Sequence, residues 1–256
     1  PAAFFTILNL SAGSSFGGQP YREAPELTML VEAGKLPPVG ERLPEEPLVV
    51  ELGTYGIDGI GHYGGILKYD AVDAPNVQGF TDIIVPFFDD EKVTSIAGKG
   101  KFLPLAWRDY EVTADFRVWT FYMRKGMRWS DGELYTTEDI LFWLESVALN
   151  KELTPIVPGL LEVKGKMARV EVLDTYSVRF TFDAPNLTFL SQIARMEREI
   201  TGLPKHYLKE FHPDYTDTET LKARRVEAGM DTWSQLFIAM SDRTQNSNPN
   251  LPSLLP

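Results

Sequence analysis

A chain of 256 residues with 43% hydrophobic and 24% charged residues is long enough to bury a large core and ordinary enough in composition to fold. Its formal net charge of −11 excludes the basic footprint of direct DNA or RNA binding and points to a soluble, acidic surface. The absence of cysteine excludes disulfides, thiolate zinc sites and cysteine nucleophiles, while leaving the compartment open.

The chain begins with an apolar run, "AAFFTILNL", too short to span a bilayer, followed by the small residues "SAGSSFGG". Residues 1–18 read as the tail of a secretory leader or, alternatively, as an N-terminal core strand. The small polar residues after the apolar run favour the leader, which implies a place outside the cytoplasm. From Tyr21 to Gly34 the sequence predicts a helix, with Pro25 at its start, Leu27, Leu30 and Val31 on one face, and Gly34 as terminator. "KLPPVGERLPEEP" reads as an extended segment wrapping the body, because proline fixes φ and withholds a donor. "LVVEL" at 48–52, "GILKYDAV" after the glycines and "DIIVPFF" at 82–88 read as strands. The stretch 101–133 is strand-rich, with turns at "TAD", "RKG" and "SDG".

A helix then opens at a capping box formed by Thr136 and Asp139, with Ile140, Trp143, Leu144 and Val147 as its apolar stripe. "RVEVLDTYSVRFTF", 169–182, predicts two strands joined at "DTY". Helices follow at 187–198, 204–211 and 219–228, and a last one at 232–240 starts from Asp231. Intermixed strands and helices give an α/β class, mixed α+β, with a mixed β-sheet and flanking helices.

Gly59, Gly61 and Gly64 spell G-x-G-x-x-G, the spacing of a dinucleotide cradle. That cradle requires a helix opening on its last glycine, whereas "GILKYDAVDAP" reads as strand and loop. The glycines therefore serve a turn and a close backbone approach, and no nucleotide cofactor is expected. His206 and His212 are six apart, a spacing that turns them to different sides of a helix, so they read as surface or helix-end histidines and not as a metal pair. No Ser lies in a G-x-S-x-G elbow, and adjacent acid pairs such as Glu138-Asp139 diverge, so no catalytic constellation and no metal site emerges; the alternative class, a secreted two-lobed hydrolase, would require a close Ser-His-acid or carboxylate constellation. The five tryptophans, ten tyrosines and fifteen phenylalanines are the enriched feature. Trp143 and Trp233 fall on helical stripes and read as core, whereas Trp107 and Trp129 sit beside turns where they could line a ligand cleft.

The segment 103–147 carries Leu105-Ala106-Trp107, a strand ending Met123-Arg124-Lys125-Gly126, Trp129-Ser130-Asp131-Gly132 and Thr137-Glu138-Asp139-Ile140. These motifs resemble those of the family 5 bacterial extracellular solute-binding proteins, the oligopeptide- and dipeptide-binding components of ABC importers. "GHYGGILKY", "VEVLDTYSVRFTFDAPNLTFL" and "LPKHYL" are similar to further family segments, and the resemblance covers residues 19–256. It implies a periplasmic-binding-protein-like, class II lobe and a protein that is not an enzyme. Such a protein works in the periplasm or outside the cell, captures a small peptide or an oligosaccharide, delivers it to membrane-embedded permease subunits, and is a monomer when complete. It also implies that the chain carries the N-terminal lobe region, with the second lobe missing after "NPNLPSLLP". The end of the family's first strand lies near the cleft, which nominates Tyr69, Asp70, Ala71 and Val72 as ligand-lining residues, with Trp107 as an aromatic wall. The motif block itself is expected to be scaffold.

Overall fold

The computed structural model describes residues 21–47, 61–64, 88–90, 102–104, 107–193, 203–242 and 248–254. The strands read from sequence at 48–52 and after the glycines lie outside these residues, as does all of 82–88 except Phe88.

The centre of the described fold is a four-stranded antiparallel sheet, β3 (Trp107–Val112), β4 (Val118–Met123), β8 (Ser177–Thr181) and β7 (Arg169–Asp174), in that spatial order. A shorter pair, β1 (Phe88–Asp90) with β2 (Phe102–Pro104), precedes it, and β5 (Glu162–Val163) with β6 (Lys166–Met167) forms a small hairpin beside it. Among the described residues every strand pair is antiparallel.

Alternation along β4 explains the sheet. Trp119, Phe121 and Met123 point to one face, where Phe121 lies opposite Val178 and Trp119 opposite Phe180. Phe121 is fully buried, with ring centroids 5.4 Å from Trp107, 5.9 Å from Phe180 and 6.0 Å from Phe189. Phe189 also meets Phe182 at 4.8 Å and Trp119 at 5.8 Å, so the core is a box of edge-to-face and tilted rings, the geometry the ring quadrupole favours. On the opposite face the Arg108 guanidinium lies 5.4 Å from the centroid of the Tyr122 ring, and Arg179 Nε donates to Thr120 Oγ1 at 3.4 Å.

The turns are where the sequence places them. "TAD" closes the β3–β4 hairpin, with Phe116 at φ 56°, Gly126 ends "RKG" at φ 76° and Gly132 ends "SDG" at φ 95°. The first helix, α1 (Pro25–Glu32), opens at Pro25 and stops at Gly34 with φ 66°, as its composition predicts, but among the described residues its apolar face is only partly covered: Leu27 and Val31 are half-buried and Leu30 is exposed. The Pro-rich segment does wrap the body. Glu45 N–H donates to the Lys125 carbonyl at 2.9 Å, and Arg124 Nη1 and Arg128 Nε donate to the carbonyls of Glu46 and Glu41 at 2.8 and 3.0 Å. The segment is not uniformly extended, since Val39–Arg42 forms one helical turn, α2.

The helix after the capping box is α3 (Thr137–Phe142), which widens into a π-helical turn, Trp143–Ala148. Its predicted stripe faces the core, with Ile140, Trp143 and Leu144 buried. Within the expected helix 187–198 the described residues 189–193 are helical, and after residue 203 come α4 (Lys205–Leu208), continuing into a 3₁₀ turn Lys209–Phe211, α5 (Thr218–Glu227) and α6 (Trp233–Ser241). The expected start of α6 at Asp231 is corrected by one residue. Thr232 caps it, accepting from Gln235 N–H at 3.1 Å, while Gln235 Oε1 takes the Thr232 and Asp231 N–H groups at 3.2 and 2.9 Å. The threonine hydroxyl reaches the third helical N–H, the geometry of a capping box.

Candidate functional site

Residues of the motif block and of the "LPKHYL" segment, which sequence separates by about seventy positions, converge on one corner of the fold. The capping box positions them. Asp139 Oδ2 accepts from Thr136 N–H at 3.0 Å and from Trp129 Nε1–H at 3.4 Å, while Oδ1 accepts from Lys205 N–H at 2.9 Å. One carboxylate thus ties the hairpin bearing Trp129, the start of α3 and the start of α4. It is buried, 4% exposed. Burial pushes the Asp139 carboxyl up from its ordinary value, while its N–H donors pull it down.

Around it, His206 Nε2 lies 2.7 Å from Asp131 Oδ2, the Lys205 ammonium pairs with Glu138, and the His206 ring sits 6.2 Å from the Trp129 ring. Thr137 Oγ1 donates to the Asp174 and Thr175 carbonyls at 3.1 Å each, fastening the same corner to the β7–β8 turn. Ser130 N–H donates to the Ser253 carbonyl at 2.7 Å, and Ser253 N–H donates to Ser130 Oγ at 3.0 Å, which brings residues 248–254 alongside.

This arrangement is a structural joint. Its acids accept backbone and indole N–H groups, pair with the Lys205 ammonium or meet the His206 ring. Among the described residues no cluster of three or more metal-ligating side chains occurs.

Trp107 is 3% exposed, with its ring against Phe121 in the aromatic core. Trp129 is 2% exposed and edge-on to Tyr135 at 5.5 Å, so it supports the corner and does not front a cleft. Tyr69, Asp70, Ala71 and Val72 lie outside the described residues, as does Gly59. Within the described part of the glycine-rich stretch, Gly64 holds φ 111° with Glu26 Oε1 3.1 Å from where a Cβ would stand, a turn that only glycine fits easily.

The reading of both histidines as surface or helix-end groups fails for His212, which is completely buried. Its ring packs among Phe142, Tyr215, Trp233 and Phe237 at centroid distances of 6.3, 5.7, 5.0 and 5.7 Å. The local string "KEFHPDY" supplies only the Tyr215 ring, and the other rings that enclose it come from α3 and α6. A cavity of about 210 Å³ opens nearby, lined by Trp143, Val147, Ala148 and Phe237 with the hydroxyl residues Thr154 and Ser241.

Comparison with known proteins places this geometry. Residues 101–226 match the family described as "Bacterial extracellular solute-binding proteins, family 5 Middle". A periplasmic alpha-galactoside-binding protein of Rhizobium meliloti (strain 1021) is 30% identical over 214 residues, covering 77% of this chain and 30% of that protein. The solved structure of an oligopeptide-binding protein OppA superposes with a TM-score of 0.80 at 38% identity, covering 93% of this chain and 35% of the other. The periplasmic binding protein MelB of Agrobacterium fabrum C58, solved in complex with stachyose, shares the fold, with a TM-score of 0.62 at 24% identity over 92% of this chain and 35% of its own. The chain therefore spans about a third of the length of the relatives it matches.

Proposed function

We propose, on the premise that this chain belongs to the family 5 bacterial extracellular solute-binding proteins, that it works outside the cytoplasm, captures a peptide-like ligand and delivers it to an ABC importer without a catalytic step. The observation that carries the reading is the likeness to the oligopeptide-binding protein, which extends over 93% of this chain at 38% identity. The joint around Asp139 fits it. Ligand capture between lobes requires each lobe to move as a rigid unit, and a buried carboxylate holding three elements supplies that rigidity.

Residues 19–256 form the N-terminal lobe region in this reading, with residues 1–18 as the remnant of a secretory leader. The complete protein is a monomer that docks on membrane-embedded permease subunits. Tyr69, Asp70, Ala71 and Val72 line the ligand cleft, where a peptide would pair through its main chain. Trp107, at 3% exposure, can present no more than an edge as an aromatic wall.

A second reading, an oligosaccharide ligand, is favoured by the alpha-galactoside-binding relative and the stachyose complex of the structural neighbour. Native mass spectrometry of the protein purified from its own source separates the two. A co-purified adduct that fragments as a peptide supports the first reading. A hexose series supports the second and sinks the first. Turnover of either ligand during incubation would overturn the assignment as a binding protein. Alanine at Tyr69 or Asp70 is expected to weaken affinity for the identified ligand in the full-length protein, and unchanged titration calorimetry would remove these residues from the site.

A further inference from the structure

His212 sits where α3, the π-helical turn, its own loop and α6 meet. Its Nε2 lies 3.0 Å from the Ser146 carbonyl, which can only accept, so Nε2 carries a proton. Its Nδ1 accepts the Asp214 N–H at 3.2 Å, so that nitrogen carries none. The two contacts fix the neutral Nε2–H tautomer. Ser146 belongs to the π-helical turn, near a helix end whose last carbonyls lack partners within the helix, and His212 supplies one. Ser146 Oγ adds a hydrogen bond to Tyr215 Oη at 2.9 Å, and Phe142, Trp233 and Phe237 close the box.

We propose that His212 is an acid-sensitive latch, which in its neutral form clamps α6 and the His212–Tyr215 loop onto the π-helical turn and on protonation releases them. The geometry gives the reason. A proton on Nδ1 would face the Asp214 N–H head-on, breaking that bond, and would place a charge in a box of four aromatic rings. Among the described residues one charged group faces the imidazole, the Asp214 carboxylate on its own loop, with Oδ2 3.7 Å from Nδ1. Tyr215, also on that loop, brings a phenol. The π-helical turn presents the Ser146 carbonyl, with the Asn150 amide nitrogen just beyond it 3.5 Å from Nε2, and α3 and α6 present Phe142, Trp233 and Phe237, all uncharged. Phe237 also lines the 210 Å³ cavity, so α6 has room to shift once the clamp opens.

Burial holds the His212 imidazole below its ordinary value, with Asp214 and the Ser146 carbonyl opposing. The sign follows. An imidazole whose value is depressed in the fold contributes no loss above the unfolded value of about 6.5, and stability is lost as pH falls below it, levelling off at the folded value.

The test is amide hydrogen exchange in the full-length chain as a function of pH, with the ring proton of His212 followed by NMR. Protection of the Trp233–Ser241 amides is expected to fall about tenfold per pH unit below roughly 6.5, one proton per opening, while β4 and β8 hold their protection. His212→Gln, which keeps a donor for Ser146 and an acceptor for Asp214 but cannot titrate, is expected to remove that step. The same step in His212→Gln, or α6 protection independent of pH in the wild type, would overturn the latch. Should His212→Gln fail to fold, Asp214→Ala serves instead. Without the carboxylate the loss should continue to lower pH before levelling, and an unmoved profile overturns the proposal equally.

Discussion

The sheet region and the helical region are held by different forces. The sheet of β3, β4, β8 and β7 closes over Trp107, Trp119, Phe121, Phe180, Phe182 and Phe189, a core of rings that meet one another directly. The unit of α4, α5 and α6 has a much smaller buried apolar centre, Leu208 and Phe237 against Phe142 of α3, and is further fastened to the rest by polar atoms with assigned partners: Asp139 to Lys205, Asp131 to His206, and Ser146 to His212. Apolar burial is non-directional and tolerates rearrangement, whereas a buried carboxylate or imidazole fixes geometry because an unpaired partner is costly.

The contrast can be broken at three points. Phe121→Ala should cost about 3–5 kcal/mol, the loss of a buried aromatic plus its cavity, and should unfold both regions together in chemical denaturation. A loss below about 1 kcal/mol would mean that the aromatic box is not the main support of the sheet.

Asp139→Asn should cost about 2–3 kcal/mol, because the new amide NH₂ must face N–H donors that the carboxylate accepted. Its signature is regional: proteolysis or exchange should open α4 first while the sheet amides stay protected. A uniform loss would dissolve the distinction between the two regions.

Thr232→Ala removes one cap hydrogen bond from α6 and should cost about 1 kcal/mol, seen as faster exchange at the start of that helix alone. Spread of the effect into β7 and β8 would show that the helical unit and the sheet share one cooperative core.

Where local chemistry decides, the sequence was readable. The capping box at Thr136 and Asp139, the glycine turns at Gly126 and Gly132, the β7–β8 hairpin and the core stripe of α3 all follow from short-range rules that the structure obeys. The family's motif block was legible for the same reason, since its residues shape one strand-to-helix corner. The readings that needed correction depend on what lies across the fold. The helix α1 has the right start and stop, yet no neighbour among the described residues covers Leu30, because periodicity says which face is apolar and not whether anything packs on it. Trp129 looked like a cleft residue beside a turn, and becomes a buried donor to Asp139 once the hairpin folds over α3.

By itself the sequence determined the mixed α/β class, the helix and turn signals, the absence of cysteine chemistry and the family. Only the tertiary structure decided that Asp139 serves Lys205 across sixty-six positions, and that His212 is enclosed by rings drawn from α3 and α6. The physical reason is that propensity and capping act within a few residues along the chain, whereas burial and the satisfaction of buried polar atoms are settled among residues that the chain brings together from far apart.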